Sequence, residues 1–332
     1  MMHDKKLQFN VYSESWQLKK PFVIARGART STEIVFCSIS DGKHTGHGES
    51  VPTEHYGESV SSVISDIKSI QNKLVSKNWQ EQLQELLPAG AARNAVDCAM
   101  WDLFAKQQAT TVAELLNFPA PKNVTTVHTI SIGTPLEMGE AAKKLKGYDL
   151  IKIKLDQIDI IERILAVHEN APQAKLLIDA NESWTLNILK DVLLKVENLP
   201  IVLIEQPLPA DQDQQLLGLN SKIPLAADES CHTQSQLKYL SKIYDVINIK
   251  LDKCGGLTAG VALAKESKSY GMDIMVGCML GTSLSMAPAL ILATQAKFID
   301  LDAPLLLQDD RAFGLQIKDG CISNLDPLLW GG

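Results

Sequence analysis

From residue 125 onward the chain repeats one unit: a short apolar run that ends in polar residues, then a stretch with helical spacing. The runs are TTVHTISIG, YDLIKIKL, AKLLIDAN, IVLIEQPL, IPLAADES, YDVINIKL, DIMVGCML and KFIDLDAP. A strand always followed by a helix is returned to the same end of the sheet, so its neighbours pair in parallel. Eight such units predict an α/β fold closed as a TIM-type barrel, with an open doubly wound sheet as the alternative. No GxGxxG follows any of the runs, which removes the main support for a dinucleotide-binding open sheet.

The residues before this repeat are patterned differently. Leu7–Tyr12 and Ile34–Ile39 read as strands, the second ending at the turn Asp41-Gly42. Ser59–Val75 carries Val60, Val63, Ile64, Ile67, Ile70 and Leu74 at helical spacing. AARNAVDCAMWDLFAKQQ places Ala95, Ala99, Met100, Leu103 and Phe104 on one helix face. Strands followed by helices predict a small α+β unit, joined to the rest by a linker over Pro119–Asn123. Composition then narrows the function. Acidic residues outnumber Lys plus Arg by 39 to 32 and no basic stripe occurs, which argues against a nucleic-acid partner. No window approaches about 18 unbroken apolar residues, and the opening MMHDKKLQFN lacks the apolar core of a signal peptide. The six cysteines are scattered without a CxxC pair, so neither a zinc ribbon nor a disulfide framework is expected. These features predict a cytoplasmic enzyme with no membrane partner.

In a barrel the chemistry collects at the C-terminal ends of the strands. Lys152 with Lys154, Asp179, Glu205, Asp228, Lys250, and Asp300 with Asp302 stand at the ends of these runs. Steps of 25, 26, 23 and 22 residues lead from Lys154 to Asp179, Glu205, Asp228 and Lys250 in turn, one strand–helix unit per step. Any one of these charges reads as a solvated loop end. Their common register is the signal, because apolar strands such as LLID and VLIE would otherwise end in unpaired, half-buried charges. Asp179, Glu205 and Asp228 form an oxygen-only set on consecutive strands, suited to a hard divalent cation such as Mg²⁺. The histidines form no HExxH or HxH pair; His47 and His55 flank loops of the first unit, where the solvated-loop reading is favoured over contact with substrate. Lys152 and Lys154, two apart, face the barrel interior together. Either each ammonium eases the other's deprotonation, or the pair simply neutralises the carboxylates. Lys250 falls four strands round the ring, on the opposite wall. A base on each side of a metal-bound centre is what a 1,1-proton transfer requires. Asp300 and Asp302 suit a cationic ammonium, with a helix N-cap or solvated turn as the other reading.

The ordered set KIK (152–154), DANESW (179–184), EQP (205–207), ADES (227–230) and NIKLDK (248–253) resembles the enolase superfamily, in its muconate-lactonizing-enzyme branch. PFVIARG (21–27), PAGAARNAVDCAMWDL (88–103), VGCMLGTS (276–283) and Asp300-Leu-Asp302 ahead of Ala-Pro are similar to dipeptide epimerases, in particular the bacterial L-Ala-D/L-Glu epimerases. The resemblance spans essentially the whole chain. It implies a modified TIM barrel, (β/α)7β, over 123–309, an N-terminal α+β capping domain over 1–122, and residues 310–332 packing back on the cap. It implies one Mg²⁺ per subunit on Asp179, Glu205 and Asp228, with Lys154 and Lys250 as the acid/base lysines and Lys152 assisting Lys154. Asp300 and Asp302 would hold a dipeptide's α-ammonium, and Thr129, Cys278, Met279 and Leu280 would line the substrate. Arg26 would meet a glutamate side-chain carboxylate, with Arg29 three residues away as a rival.

The activity so implied is inversion of the α-carbon of the C-terminal residue of L-Ala-D/L-Glu-type dipeptides, through an enolate, in murein peptide recycling. Relatives that form dimers and octamers imply a homo-oligomer. The alternatives are an epimerase of another dipeptide, or an N-acylamino acid racemase, o-succinylbenzoate synthase or cycloisomerase. The last three use the same lysines and metal but need no pair of acids for a free ammonium. A non-catalytic barrel is disfavoured because every expected catalytic position is filled.

Overall fold

A computed structural model describes residues 6–332; Met1–Lys5, His3 among them, lie outside the described residues. Three antiparallel strands come first: β1 (Gln8–Ile24), β2 (Gly27–Ser40) and β3 (Thr45–Ser50). Helices Val60–Ile70, Trp79–Leu86 and Ala91–Gln108 follow, then β4 (Lys122–Thr125). The parallel sheet comprises β5 (His128–Ile130), β6 (Leu150–Lys154), β7 (Lys175–Asp179), β8 (Ile201–Glu205), β9 (Leu225–Ala227), β10 (Val246–Lys250), β11 (Asp273–Gly277) and β12 (Phe298–Ile299), each paired with the next. At its seam the amide of Val127 donates to the carbonyl of Ile299 at 3.0 Å, so the first and last strands meet. The expected barrel, rather than the open sheet, is what forms. Among the described residues no helix is long and apolar enough to cross a membrane.

Strand periodicity builds the barrel's interior in two layers. Val127, Leu177, Leu203, Ala226, Val246, Met275 and Phe298 pack together as a separate apolar cluster at the bottom. Two residues further along the same strands, on the same face, stand Thr129, Asp179, Glu205, Asp228, Asn248, Gly277 and Asp300. The alternate residues on these strands, such as Ile151, Ile153, Ile247 and Ile249, face the helices and join the main core. An apolar plug therefore supports a polar upper layer. The alternation decides both.

The cap departs from the sequence expectation in its lengths. β1 and β2 run far beyond Leu7–Tyr12 and Ile34–Ile39, because their outer ends form an exposed ribbon whose Ser, Gln and Lys carry no apolar alternation. β3, TGHGES, has no strand composition at all. It is a strand because Gly46 and Gly48 let helix Ala91–Gln108 approach: a Cβ at Gly48 would lie 2.1 Å from the Ala95 carbonyl oxygen. The end of the segment read as a linker enters β4, which pairs with β14 (Cys321–Asn324), itself the partner of β13 (Ile317–Lys318). Helix Trp79–Leu86 was not expected.

Polar side chains dock the cap on the barrel. Asn94 Nδ2 and the Val51 amide both donate to Asp252 Oδ1 at 2.9 Å, and Arg93 Nη2 donates to the Cys254 carbonyl at 2.7 Å. The chain end returns to the same helix: Trp330 Nε1 donates to the Cys98 carbonyl and the Gly331 amide to Asp102 Oδ1. Burial pushes the Asp252 carboxyl up to about 7, against the two donors that lower it. A carboxyl raised by folding contributes stability that is complete at acid pH and lost as pH climbs through its folded value. Asp252→Asn keeps the acceptor oxygen and drops that dependence. The melting temperature of the variant minus that of wild type is therefore expected to grow between about pH 5 and about pH 8. A difference constant with pH would contradict the assignment.

Candidate active site

A cavity of about 540 Å³ opens at the C-terminal ends of the barrel strands, beneath the β1–β2 hairpin of the cap. Thr129, Lys152, Lys154, Lys250, Asp300 and Asp302 line it from the barrel, Cys278, Met279 and Leu280 form one wall, and Arg26 and Arg29 reach in from the hairpin. Asp179, Glu205 and Asp228 lie directly below, all buried and all joined to the cavity through lysines. The residues read from sequence as catalytic, metal-holding or substrate-lining thus lie at one place.

Lys152 is the hub. Its Nζ lies 2.6 Å from Asp300 Oδ2, 2.6 Å from Glu205 Oε2 and 3.0 Å from Asp179 Oδ2. Lys154 Nζ sits 2.6 Å from Asp179 Oδ2. Across the mouth, Lys250 Nζ lies 2.6 Å from Asp228 Oδ2 and Lys253 Nζ 2.6 Å from Asp228 Oδ1. Burial opposes a charge on Lys152, but Asp179, Asp300 and Glu205 outweigh it and hold the ammonium well above its ordinary range. Of the two roles read from the sequence, the contacts of Lys152 with three carboxyls favour the neutralising one. Burial likewise opposes ionisation of Asp228, and Lys250 and Lys253 overcome it, holding the carboxyl well below the usual range. Glu205 goes the other way. Burial and then Asp179 push it up to about 8, against Lys152.

Positioning groups outside the sequence reading complete the site. Gln206 Oε1 accepts from the amides of Asp228 and Ser230, while its Nε2 donates to Ser230 Oγ and Tyr244 Oη, so the EQP and ADES motifs brace one another. Asn248 Nδ2 donates to Glu205 Oε1 at 2.6 Å, and Gly277 makes room for it: a Cβ there would meet Asn248 Oδ1 at 2.6 Å. Asn181, Glu182 and Gln206 take positive φ values of 43°, 67° and 35°, strain placed where the strands turn into the mouth. Asp302 occupies an N-cap position, yet its carboxylate caps nothing; Oδ2 accepts from the Thr129 amide at 2.6 Å. Arg26 Nη1 lies 2.8 Å from Glu229 Oε1 and 3.1 Å from Glu182 Oε2. His55, read as solvated, lines the cavity and pairs with Glu182 at 3.0 Å, whereas His47 stands away from the cavity beside Asp102.

The donor set fits a hard cation. Six buried carboxyls (Asp179, Glu205, Asp228, Glu229, Asp300, Asp302) face four buried lysines (Lys152, Lys154, Lys250, Lys253), with only oxygens offered on β7, β8 and at the end of β9. Lysine ammoniums stand between these acids, and no three His, Cys, Asp or Glu side chains among the described residues are drawn together as a metal cage.

Comparison with known proteins places this arrangement. Residues 6–117 match the family model for the mandelate racemase / muconate lactonizing enzyme N-terminal domain, and residues 137–326 match the enolase C-terminal domain-like model. The chain belongs to the enolase superfamily. It is 47% identical over 301 residues to an N-acetyl-D-glutamate racemase of a Pseudoalteromonas species, covering 90% of this chain and 95% of that one. It is 44% identical over 312 residues to the L-Ala-D/L-Glu epimerase of Escherichia coli K12, covering 93% and 97%. The crystal structure of an enolase family member from Agrobacterium tumefaciens, with homology to dipeptide epimerases and bound to sodium and L-Ala-L-Glu, superposes with a TM-score of 0.95 at 42% identity over 98% of this chain and 100% of that one. A dipeptide epimerase from Enterococcus faecalis, complexed with Mg and L-Leu-L-Tyr, gives 0.90 at 27% identity over 97% of each chain. This superfamily member is an isomerase of the epimerase/racemase kind.

Its lattice of buried charges makes a specific demand on stability. Lys152→Met leaves three carboxylates without their shared cation, and the superfamily fold is expected to lose about 3–5 kcal/mol in urea unfolding. An unchanged unfolding free energy would show that Lys152 is not the hub.

Proposed function

We propose that the chain is an Mg²⁺-dependent dipeptide epimerase that inverts the α-carbon of the C-terminal residue of L-Ala-D/L-Glu-type dipeptides. The carrying observation is that Lys154 and Lys250, four strands apart in the ring, line the same cavity as the paired aspartates 300 and 302. Asp179, Glu205 and Asp228 would hold the cation, which supplies Lewis-acid stabilisation as negative charge grows on the substrate carboxylate. Lys154 and Lys250 address opposite faces of the α-carbon. One takes the proton, and the ammonium opposite returns one to the other face. Lys250, held as an ammonium beside Asp228, stands ready as a donor. Asp302 receives the substrate's α-ammonium, with Thr129 orienting its carboxylate. The side-chain carboxylate meets the hairpin arginines: it displaces Glu182 and Glu229 from Arg26, or it pairs with Arg29.

A second reading has one observation in its favour. Asp300 already shares Lys152, which leaves Asp302 alone to balance an ammonium; a racemase of N-acylated glutamate needs no such balance. Proton NMR in deuterated water with Mg²⁺ separates the two. Loss of the glutamate α-proton of L-Ala-D-Glu with growth of L-Ala-L-Glu supports the epimerase, and exchange confined to N-acetyl-D-glutamate supports the racemase.

Single-lysine variants test the two-base geometry. Lys154→Met and Lys250→Met should each abolish net inversion, by at least about 10³-fold, while each retains exchange from one stereoisomer only. Retention from both, or from neither, overturns the opposed pair. Asp302 adds a pH test. Burial and the neighbouring Asp300 push its carboxyl up to about 7. Acidification protonates it and removes the charge that meets an ammonium, so KM for the dipeptide rises as pH falls below about 7. Asp302→Asn should lower dipeptide kcat/KM about tenfold or more and abolish that pH dependence, with N-acetylglutamate turnover little changed.

A further inference from the structure

The wall formed by Cys278, Met279 and Leu280 has no secondary structure to hold its shape. It follows β11 and precedes helix Ser283–Ala293, and Met279, Leu280 and Gly281 make no backbone-to-backbone hydrogen bond among the described residues. A loop of this kind is ordinarily mobile. Here two side chains of the cap hold it. Thr32 on β2, 2% exposed, donates its hydroxyl to the Leu280 carbonyl at 2.7 Å. Glu49 on β3, 1% exposed, accepts from the Thr282 amide at 2.8 Å and from Thr282 Oγ1 at 2.5 Å.

Glu49 is not in the cap for the cap's sake. A buried carboxylate needs partners, and its partners all lie outside β3: Thr282 from the barrel and Arg311 from the C-terminal segment, with Nη2 at 2.9 Å. Arg311 also reaches Glu14 at 2.6 Å and lies over the rings of Trp16 and Phe36, so the clamp is tied to the cap sheet. Gly281 permits the approach, since a Cβ there would sit 3.2 Å from Glu49 Oε1 and 2.9 Å from Ser285 Oγ. The wall so fixed stands beside Asp300 and Asp302, because β11 and β12 are neighbours.

We propose that Thr32 and Glu49 are positioning residues for substrate selection: by fixing the Leu280 carbonyl and the Thr282 amide they set the wall against which the substrate's N-terminal portion packs. Neither touches substrate. They act through Cys278–Leu280, and this role rests on the functional reading above. Its consequence is that selectivity for the residue or acyl group on the amino side of the epimerised carbon depends on a hydroxyl in the cap, outside the lysine and metal machinery.

Thr32→Val is isosteric and removes the donor, and Thr32→Ser keeps it. Two readouts are taken on both, with Mg²⁺ present: peptide-resolved amide hydrogen exchange over 278–282, and kinetics on a series X-L-Glu in which only X changes. For Thr32→Val, exchange at 278–282 should accelerate about fivefold, KM should rise by a similar factor with kcat within about twofold, and the preference among X residues should flatten; Thr32→Ser should stay near wild type. Unchanged preferences alongside accelerated exchange would reduce Thr32 to a structural contact, and equal impairment in both variants would assign the effect to packing. Either result overturns the proposal. If wild type turns over N-acylglutamates instead, the series runs over acyl groups with the same criteria. If it exchanges no α-proton at all, the functional reading falls, and unaccelerated amide exchange in Thr32→Val would sink the clamp independently.

Discussion

The contact of Lys152 with Asp179, Glu205 and Asp300 is the constraint around which the site is organised. A single ammonium, 1% exposed, joins strands β6, β7 and β8 to the end of β12. Buried acids from neighbouring strands repel, and a cation shared among them is what lets so many stand in one layer. The arrangement is poised rather than saturated. Glu205 remains pushed up to about 8 by burial and Asp179 despite Lys152, and acids still outnumber lysines. On the proposed function, a divalent cation would answer that excess. Stability and chemistry draw on the same charges here, so their cost to the fold is borne by a scaffold whose apolar plug, Val127 to Phe298, is untouched by them.

The barrel was legible because its signals are local and repeated. Each strand of the ring is a short apolar run, each charge ends a run, and period-two alternation alone tells which side chains face inward. Lys152, Lys154, Asp179, Glu205, Asp228 and Lys250 could therefore be read together from spacing, and the family resemblance then divided the roles. What escaped depends on contacts between distant segments. β3 is a strand only because helix Ala91–Gln108 lies against its glycines. Lys122 and Asn123 look like the end of a linker until β14 pairs with β4. Gln206, Glu229 and Asn248 stand inside the quoted motifs EQP, ADES and NIKLDK, yet nothing in their own neighbourhood reveals that Gln206 holds two amides in place or that Glu229 grips Arg26 from the cap. His55 carried a weak signal as a loop histidine, and only the folded chain, with the turn Glu54–Tyr56 after β3, shows that it borders the cavity.

The two layers of the site differ in what can alter them. Lys154, Asp179, Glu205, Asp228 and Lys250 are held by strand register, and a shift of one residue would turn every one of them away from the mouth. Chemistry encoded this way is hard to lose while the barrel closes. The cavity walls are held otherwise, by side chains that reach across from the cap: Arg26 on Glu229 and Glu182, Thr32 on Leu280, Glu49 on Thr282. These contacts change without disturbing any strand. On the proposed function, a dipeptide epimerase and an N-acylglutamate racemase would share one layer of lysines and carboxylates, and would differ at Asp302 and in how the cap shapes the space above it. That separation explains why strand-end motifs speak clearly for proton transfer at an α-carbon, while the identity of the group beside that carbon is written in the junction between two parts of the chain.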